Sequence, residues 1–491
     1  MQLLPITLPT VFIVLLVLDY LNNLTKKTSM EIVNEMGIGY NLGHSFDSYL
    51  FSKQINNPDD AITLFGNPIP TKHLIANIKK YGFKTIRFPV TWTYFIDQSG
   101  NINPEWIFRV KEVVKWIIEK KLYCILNIYS DTKEWLIGIE SKSNYINIWK
   151  QISEEFKDFN EYLIFESMNE PIFLSALYYD YDILLNFTQS FVDTIRNSEQ
   201  FNKERLLIIS GMDSNIELTC LEKYKMPIDP ANKLAISINY YIPSKFTKDN
   251  WDDDDTWGEQ DDYKQLFQNF DLLKKFYISK GIPVIIGEVG VITEENKELP
   301  SIREYLYSVF SLSIEYEGIM ACLWDTSNKN YGKMNYYNRL TDEWYDDKIK
   351  NILMKISKRN FVKSSDFYIF SNLETINNIG LNFAYSINFG EKKPLKIILN
   401  INYSGNLFYD YYFEIYCLDI SRWEIFIDFD ERNGKKQYDG TITYTIDISN
   451  RNCFEFFEIY YYYGQIYFKN ITIEYQEYFT YYFGLIIIII K

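Results

Sequence analysis

The sequence predicts an α/β chain, a closed (β/α)8 barrel of the TIM type followed by a smaller all-β sandwich. Three observations carry that expectation. Between residues 30 and 356, short apolar runs of strand length alternate with longer stretches of helical character, and such alternation implies parallel strands joined by crossover helices. Eight runs are countable there, the number that closes a barrel of this type. After Ile356 the helical periodicity stops, and β-rich segments separated by turn signals such as Asn433-Gly434 and Asp439-Gly440 take over, the pattern of a sandwich. An open doubly wound sheet is the alternative for the first part, but no Gly-x-Gly-x-x-Gly follows the first strand.

In chain order, residues 1–29 form an apolar N-terminal segment whose uninterrupted core, Val11 to Leu18, suits the hydrophobic region of a secretory signal. Pro5 and Pro9 leave it short of the roughly 20 helical residues a membrane anchor needs. A secreted, extracellular protein is expected, and sequons at Asn23, Asn186, Asn402 and Asn470 are compatible with that. The eight strand runs are Gly37 to Asn41, Thr85 to Phe88, Leu122 to Tyr129, Leu163 to Asn169, Arg205 to Gly211, Leu234 to Tyr241, Val284 to Glu288 and Met320 to Trp324. Helices are expected between them, for instance Thr71 to Tyr81, Glu105 to Lys120 and Asp261 to Lys280. The polar, basic stretch 357–365 reads as a linker, residues 366–478 as the sandwich, and 479–491 as an apolar tail ending in consecutive isoleucines.

Composition narrows the function. A net charge of -15 disfavours nucleic acid and anionic membrane surfaces, so a neutral ligand fits better and a monomer is expected. Five cysteines are scattered without Cys-x-x-Cys spacing, so no metal or redox cofactor is called for. Cys124 and Cys322 lie in apolar strand runs and read as buried thiols, and a Cys417–Cys453 bridge is an open possibility.

Two strands end on an acid. Leu163 to Pro171 delivers Glu170, and Ile282 to Gly290 delivers Glu288. Chemistry in a parallel barrel gathers at the C-terminal ends of its strands. Counting places the acids on the fourth and seventh strands, facing each other across the mouth. Carboxyl groups about 5 Å apart suit a retaining glycosidase, one protonating the leaving oxygen while the other attacks the anomeric carbon. The bland alternative is a solvated strand end, or a buried carboxylate paired to Arg87.

Several motifs in order resemble the cellulase family, glycoside hydrolase family 5, across residues 30 to 350. They are Met36 to Gly43, with Tyr40 where Trp is usual, Phe65-Gly-Asn-Pro68, Gly82 to Trp92, Phe165 to Pro171, Ile286 to Gly290 and Leu323-Trp-Asp325. The resemblance implies a retaining endo-β-1,4-glucanase acting on β-glucan without a cofactor. Glu170 would be the proton donor and Glu288 the nucleophile, so one must keep its proton while the other is ionised. Arg87 and Tyr241 would hold the nucleophile's charge and Asn169 the sugar's 2-hydroxyl. Trp324 would floor the sugar, with Asn41, Tyr129 and Asn239 as further substrate-binding candidates.

Two departures stand out. Asn127-Ile-Tyr-Ser-Asp131 carries Tyr129 where the family has a histidine, and Asn239-Tyr-Tyr241 carries Asn239 where it has another. Their loss is expected to weaken preorganisation, and a catalytically inactive glucan-binding protein is the alternative. The loop Trp251 to Gly258 offers Trp257 as an aromatic subsite wall. The C-terminal domain resembles a carbohydrate-binding module, with Trp423 and Tyr460 to Tyr463 as a possible platform.

Overall fold

The computed structural model describes residues 27–48, 57–129, 141–172, 174–175, 178–248, 256–258, 260–293 and 297–358, and strands between 360 and 475. The chain divides into two compact units that meet between Met354 and Lys355.

In the first unit eight parallel strands close a barrel. They are β1 (Gly39–Asn41), β2 (Thr85–Phe88), β3 (Tyr123–Asn127), β4 (Leu163–Glu166), β5 (Leu207–Ser210), β6 (Leu234–Tyr240), β7 (Val284–Val289) and β8 (Ile319–Leu323). Each pairs with its neighbour in sequence, and β1 pairs with β8 to close the ring. Six of the eight runs expected from sequence contain a strand whole, and the other two overlap theirs, β7 ending one residue later at Val289 and β8 starting one residue earlier at Ile319.

Helices α1 (Ser29–Met36), α2 (Lys72–Lys80), α3 (Pro104–Glu119), α4 (Lys142–Glu155), α5 (Tyr181–Arg196), α6 (Gln260–Phe276), α7 (Leu299–Glu315) and α8 (Asp347–Ser357) accompany the strands. Their starts follow local chemistry. Thr28 and Glu31 form a reciprocal capping box on α1. Asn103 caps α3 ahead of Pro104, whose missing N–H costs nothing in a first turn.

The barrel interior is layered. Ile32, Val33 and Met36 of α1 pack with Tyr123, Ile125, Ile164, Ile208, Ala235, Ile285, Met320 and Cys322 in one apolar cluster. Side chains alternate along a strand, so two residues further on the same face turns polar: Arg87, Asn127, Glu166, Ser210 and Ser237 are all buried. An apolar base under a polar upper layer sets the site at the strands' C-terminal ends.

In the second unit the described strands pair antiparallel, in a six-stranded and a three-stranded sheet. The stretch taken as a linker is corrected here. α8 runs through Ser357, and Asn360–Ser364 is a strand paired antiparallel with Phe367–Ser371, the partner strand satisfying backbone groups that a linker would leave to water. Residues 1–26, Trp251, Trp423, Cys453 and the tail 479–491 lie outside the described residues, as do the side chains of Cys417 and Tyr460. Among the described residues no helix is long and apolar enough to cross a membrane.

Candidate active site

Arg87 organises the polar layer. Its guanidinium is buried and spends its donors in four directions. Nε donates to Glu166 at 2.7 Å, Nη1 to Glu288 at 3.0 Å and Asn41 Oδ1 at 3.1 Å, and Nη2 to Asn169 Oδ1 at 2.8 Å. A planar fork of fixed donors suits this work better than an ammonium. Burial acts to lower its pKa, but Glu166 and Glu288 more than offset that, and the group stays charged.

Glu288 is aimed by a β-bulge. Ile286 pairs with Ile238 and Ala321, whereas Glu288 pairs with Asn239, so Gly287 is an extra residue in β7. Bulges of this kind re-aim a side chain and recur beside active sites. A Cβ on Gly287 would come within 3.1 Å of Ser237 Oγ and 3.3 Å of Arg87 Nε, tighter than an ordinary Cβ contact, so any side chain there would press on the buried network. The re-aimed carboxylate accepts from Tyr129 Oη at 2.9 Å and Tyr241 Oη at 3.0 Å, besides Arg87. Burial pushes its pKa up, to about 7; Arg87 and the two tyrosines pull it down, while Glu170 pushes it higher. Burial also holds the phenols of Tyr129 and Tyr241 well above their usual value, so both remain donors.

Glu170 sits in different surroundings. β4 ends at Glu166, so Glu170 is not on the strand as the sequence suggested but in the turn that follows, with φ +42. That left-handed conformation is uncommon for a side-chain-bearing residue and is held by neighbours. Ser167 N donates to Ile208 O at 2.9 Å, Asn169 N to Ile128 O at 2.9 Å, and Glu170 N to Ser214 Oγ at 3.2 Å. Ser167 and Ser210 join through their hydroxyls at 3.0 Å. The Glu170 carboxylate accepts from Asn239 Nδ2 at 2.8 Å. The two positions where histidine was missed therefore each donate to one glutamate, Tyr129 to Glu288 and Asn239 to Glu170.

Trp324, just past β8, lies parallel to Tyr129, ring centroids 5.6 Å apart, with His44 edge-on at 6.4 Å. The three rings form one aromatic cluster that meets Glu288 through Tyr129. Two candidates are corrected. Asn41 is fully buried, its amide NH2 donating to Gly287 O at 2.8 Å and its oxygen taken by Arg87, so it orients the machinery and cannot reach a ligand. Trp257 is only 5% exposed and sits edge-to-face with Tyr263 and Tyr305. Packed against α6 and α7, it supports the loop from within and does not present a wall.

Sequence reasoning missed Glu166 as a partner of Arg87, together with Asn127 and Ser237, which donate to it at 2.9 and 2.8 Å. Strand alternation had put Glu166 on the right face without a role. It also missed Arg339, whose fork ties Tyr40 Oη at 3.0 Å to Gly43 O and Asp325 O, both at 2.6 Å. Tyr40 also donates to Asp325. No motif marks Arg339, because its partners come from opposite ends of the barrel sequence. Among the described residues no cluster of His, Cys, Asp and Glu could hold a metal ion.

Known proteins resemble this chain in sequence and in fold. Residues 48–330 match the family model described as cellulase (glycosyl hydrolase family 5). Endoglucanase A of Clostridium longisporum is 34% identical over 350 residues, covering 67% of this chain and 66% of its own length. The cellulase/esterase CelE of Acetivibrio thermocellus is 29% identical, over 67% of this chain and 40% of its own; the chain thus spans less than two thirds of each of these two relatives. A solved structure described as a GH5-4 broad specificity endoglucanase from an uncultured bovine rumen ciliate is 46% identical. It superposes with a TM-score of 0.66 over 68% of this chain and 98% of that one. The barrel, its paired glutamates and these matches place the chain in glycosyl hydrolase family 5, the cellulases.

Proposed function

We propose that the protein is a retaining endo-β-1,4-glucanase acting on β-glucan chains. The observation that carries this is the unequal setting of two glutamates at one barrel mouth. Glu288 accepts from Arg87, Tyr129 and Tyr241, three donors that favour its ionised form against the burial that disfavours it, and so is aimed for attack on an anomeric carbon. Glu170, in a turn and bonded to one neutral amide, is free to hand a proton to the leaving oxygen and take one back from water. Asn169 turns its oxygen to Arg87, leaving its NH2 for a sugar hydroxyl, and Trp324 supplies the flat face on which a pyranose ring packs. The endoglucanase names of the relatives support a β-1,4-glucan substrate, and the broad specificity of the ciliate enzyme supports a range of such glucans.

The geometry favours catalysis over a binding-only role, because each glutamate keeps hydrogen-bond donors at the positions where histidine was absent. The antiparallel strands of residues 360–475 support a sandwich-type carbohydrate-binding module, and the apolar segment Val11 to Leu18 supports export as an extracellular enzyme.

The test is reducing-sugar release from soluble cellulose and mixed-linkage glucan. Glu288→Gln is expected to abolish it, and Glu170→Gln to lower it by about 10²–10⁴-fold, the usual contribution of a general acid. On substrates whose leaving group needs no proton, the Glu170→Gln loss should shrink. Full activity in Glu288→Gln would end the reading.

A further inference from the structure

We propose that Glu166 is a positioning residue for the nucleophile. By holding one side of Arg87 it leaves Glu288 only partly compensated before reaction, and it gives Arg87 a complete partner afterwards. The inference rests on the reading of Glu288 as nucleophile.

Glu166 is 1% exposed and lies beneath the cleft, out of reach of substrate. Its Oε2 accepts from Arg87 Nε at 2.7 Å and Asn127 Nδ2 at 2.9 Å, and its Oε1 from Ser237 Oγ at 2.8 Å. Every partner donates, so the group is set up as a carboxylate. One guanidinium thus bridges two buried carboxylates, Nε on Glu166 and Nη1 on Glu288, and the layer carries one excess negative charge. Buried charge without full compensation is unfavourable, so the excess makes Glu288 readier to give its charge up.

The reaction removes that excess. A Glu288 oxygen forms an ester bond to the anomeric carbon as the glycosidic C–O bond breaks. The bonding pair leaves with the glycosidic oxygen, which takes the proton of Glu170. Negative charge has passed from Glu288 to Glu170, and Arg87 with Glu166 remains as a closed, neutral ion pair. With a neutral residue at 166, Arg87 would instead face the ester as an unpaired buried cation, and the intermediate would be disfavoured.

The other titratable groups around Glu288 do not supply this role. Tyr129 after β3, Tyr241 after β6 and Cys322 on β8 are all pushed up by burial and stay neutral. Glu170, after β4, adds repulsion. β1 contributes the neutral Asn41.

The experiment measures pH profiles of kcat/KM and burst kinetics on an aryl β-cellobioside with an activated leaving group, using the full chain. Glu166→Gln should free Arg87 for Glu288, moving the acid limb down by about one pH unit and slowing glycosylation by roughly 10–100-fold relative to deglycosylation. Glu166→Asp should keep the limb near its native place. Ser237→Ala, a small change that keeps the fold if Glu166→Gln does not, makes Glu166 lean harder on Arg87 and should move the limb the other way, upward. Limbs that stay put, or move in the same direction in Glu166→Gln and Ser237→Ala, overturn the proposal, as does an equal loss in Glu166→Gln and Glu166→Asp. Glu288→Gln separates the two claims. If that variant turns over substrate, the nucleophile reading has failed; if it is dead while the Glu166 variants keep the native limb, only the role of Glu166 has.

Discussion

Tyr129 and Asn239 are neutral side chains that do not titrate in the working range, so charge switching at this site is left to the carboxylates. Glu288 must be ionised to attack, and at about 7 its ionisation sets the acid limb of the rate profile near neutrality, with activity rising as pH rises through that value. Tyr129 donates to the charged form at 2.9 Å and so stabilises it. Tyr129→Phe removes that donor, and the acid limb should move upward by about 0.5–1 pH unit, the shift that one hydrogen bond of ordinary strength produces. A pH profile of kcat/KM checks it, and a downward shift would contradict the assigned direction. Glu170 and Glu288 were legible in the sequence because each follows an apolar strand run. The share of Arg87 held by Glu166 was not, since it depends on which guanidinium nitrogen faces which strand.

Among the elements, the eight strands were legible because buried parallel strands read as short apolar runs between helical stretches. The turn after β4 was not. The sequence continued that strand to Asn169, whereas the chain leaves the sheet at Glu166, because Ser210 at the end of β5, Ser214 in the turn after it and the carbonyl of Ile128 just past β3 offer it other partners. At the opposite end of the same strands Arg205 is a buried staple. It donates to Asn202 Oδ1 at 2.9 Å and to the carbonyls of Asn160, Leu163, Phe156 and Phe159 at 3.0, 2.5, 3.3 and 2.7 Å, over the ring of Phe165. Burial, with Arg196, lowers its pKa to about 9, and five acceptors hold the charge there. Arg205→Lys cannot reach them all. It should cost about 3 kcal/mol of stability, as breaking buried polar networks does, measured by denaturant unfolding of the first unit's fluorescence. A change under about 0.5 kcal/mol, the range of an ordinary surface substitution, would show the staple to be dispensable.

At the scale of the whole molecule, the division between Met354 and Lys355 leaves every glutamate, tyrosine and arginine of the site in the first unit. Removing residues 359–491, which lie beyond α8 and its buried Ile356, should therefore leave turnover of soluble glucan within about twofold, since domains generally carry their own core. On the proposed carbohydrate-binding role of the second unit, retention on insoluble cellulose should fall, because a second binding site adds effective concentration; pull-down on cellulose against soluble-substrate rate separates the two, and unchanged retention would end that role. The change from helical to β-rich pattern was legible at Ile356, but the strand Asn360–Ser364 was not, its polar residues resembling a spacer until a partner strand is supplied. The free thiols of Cys124, Cys220 and Cys322 are all buried, and burial pushes that of Cys220 up to about 12 and the others higher still. Neutral and sealed, they do not react while the barrel is closed. They serve as internal clocks: the rate at which an alkylating reagent reaches Cys322 counts how often the barrel opens.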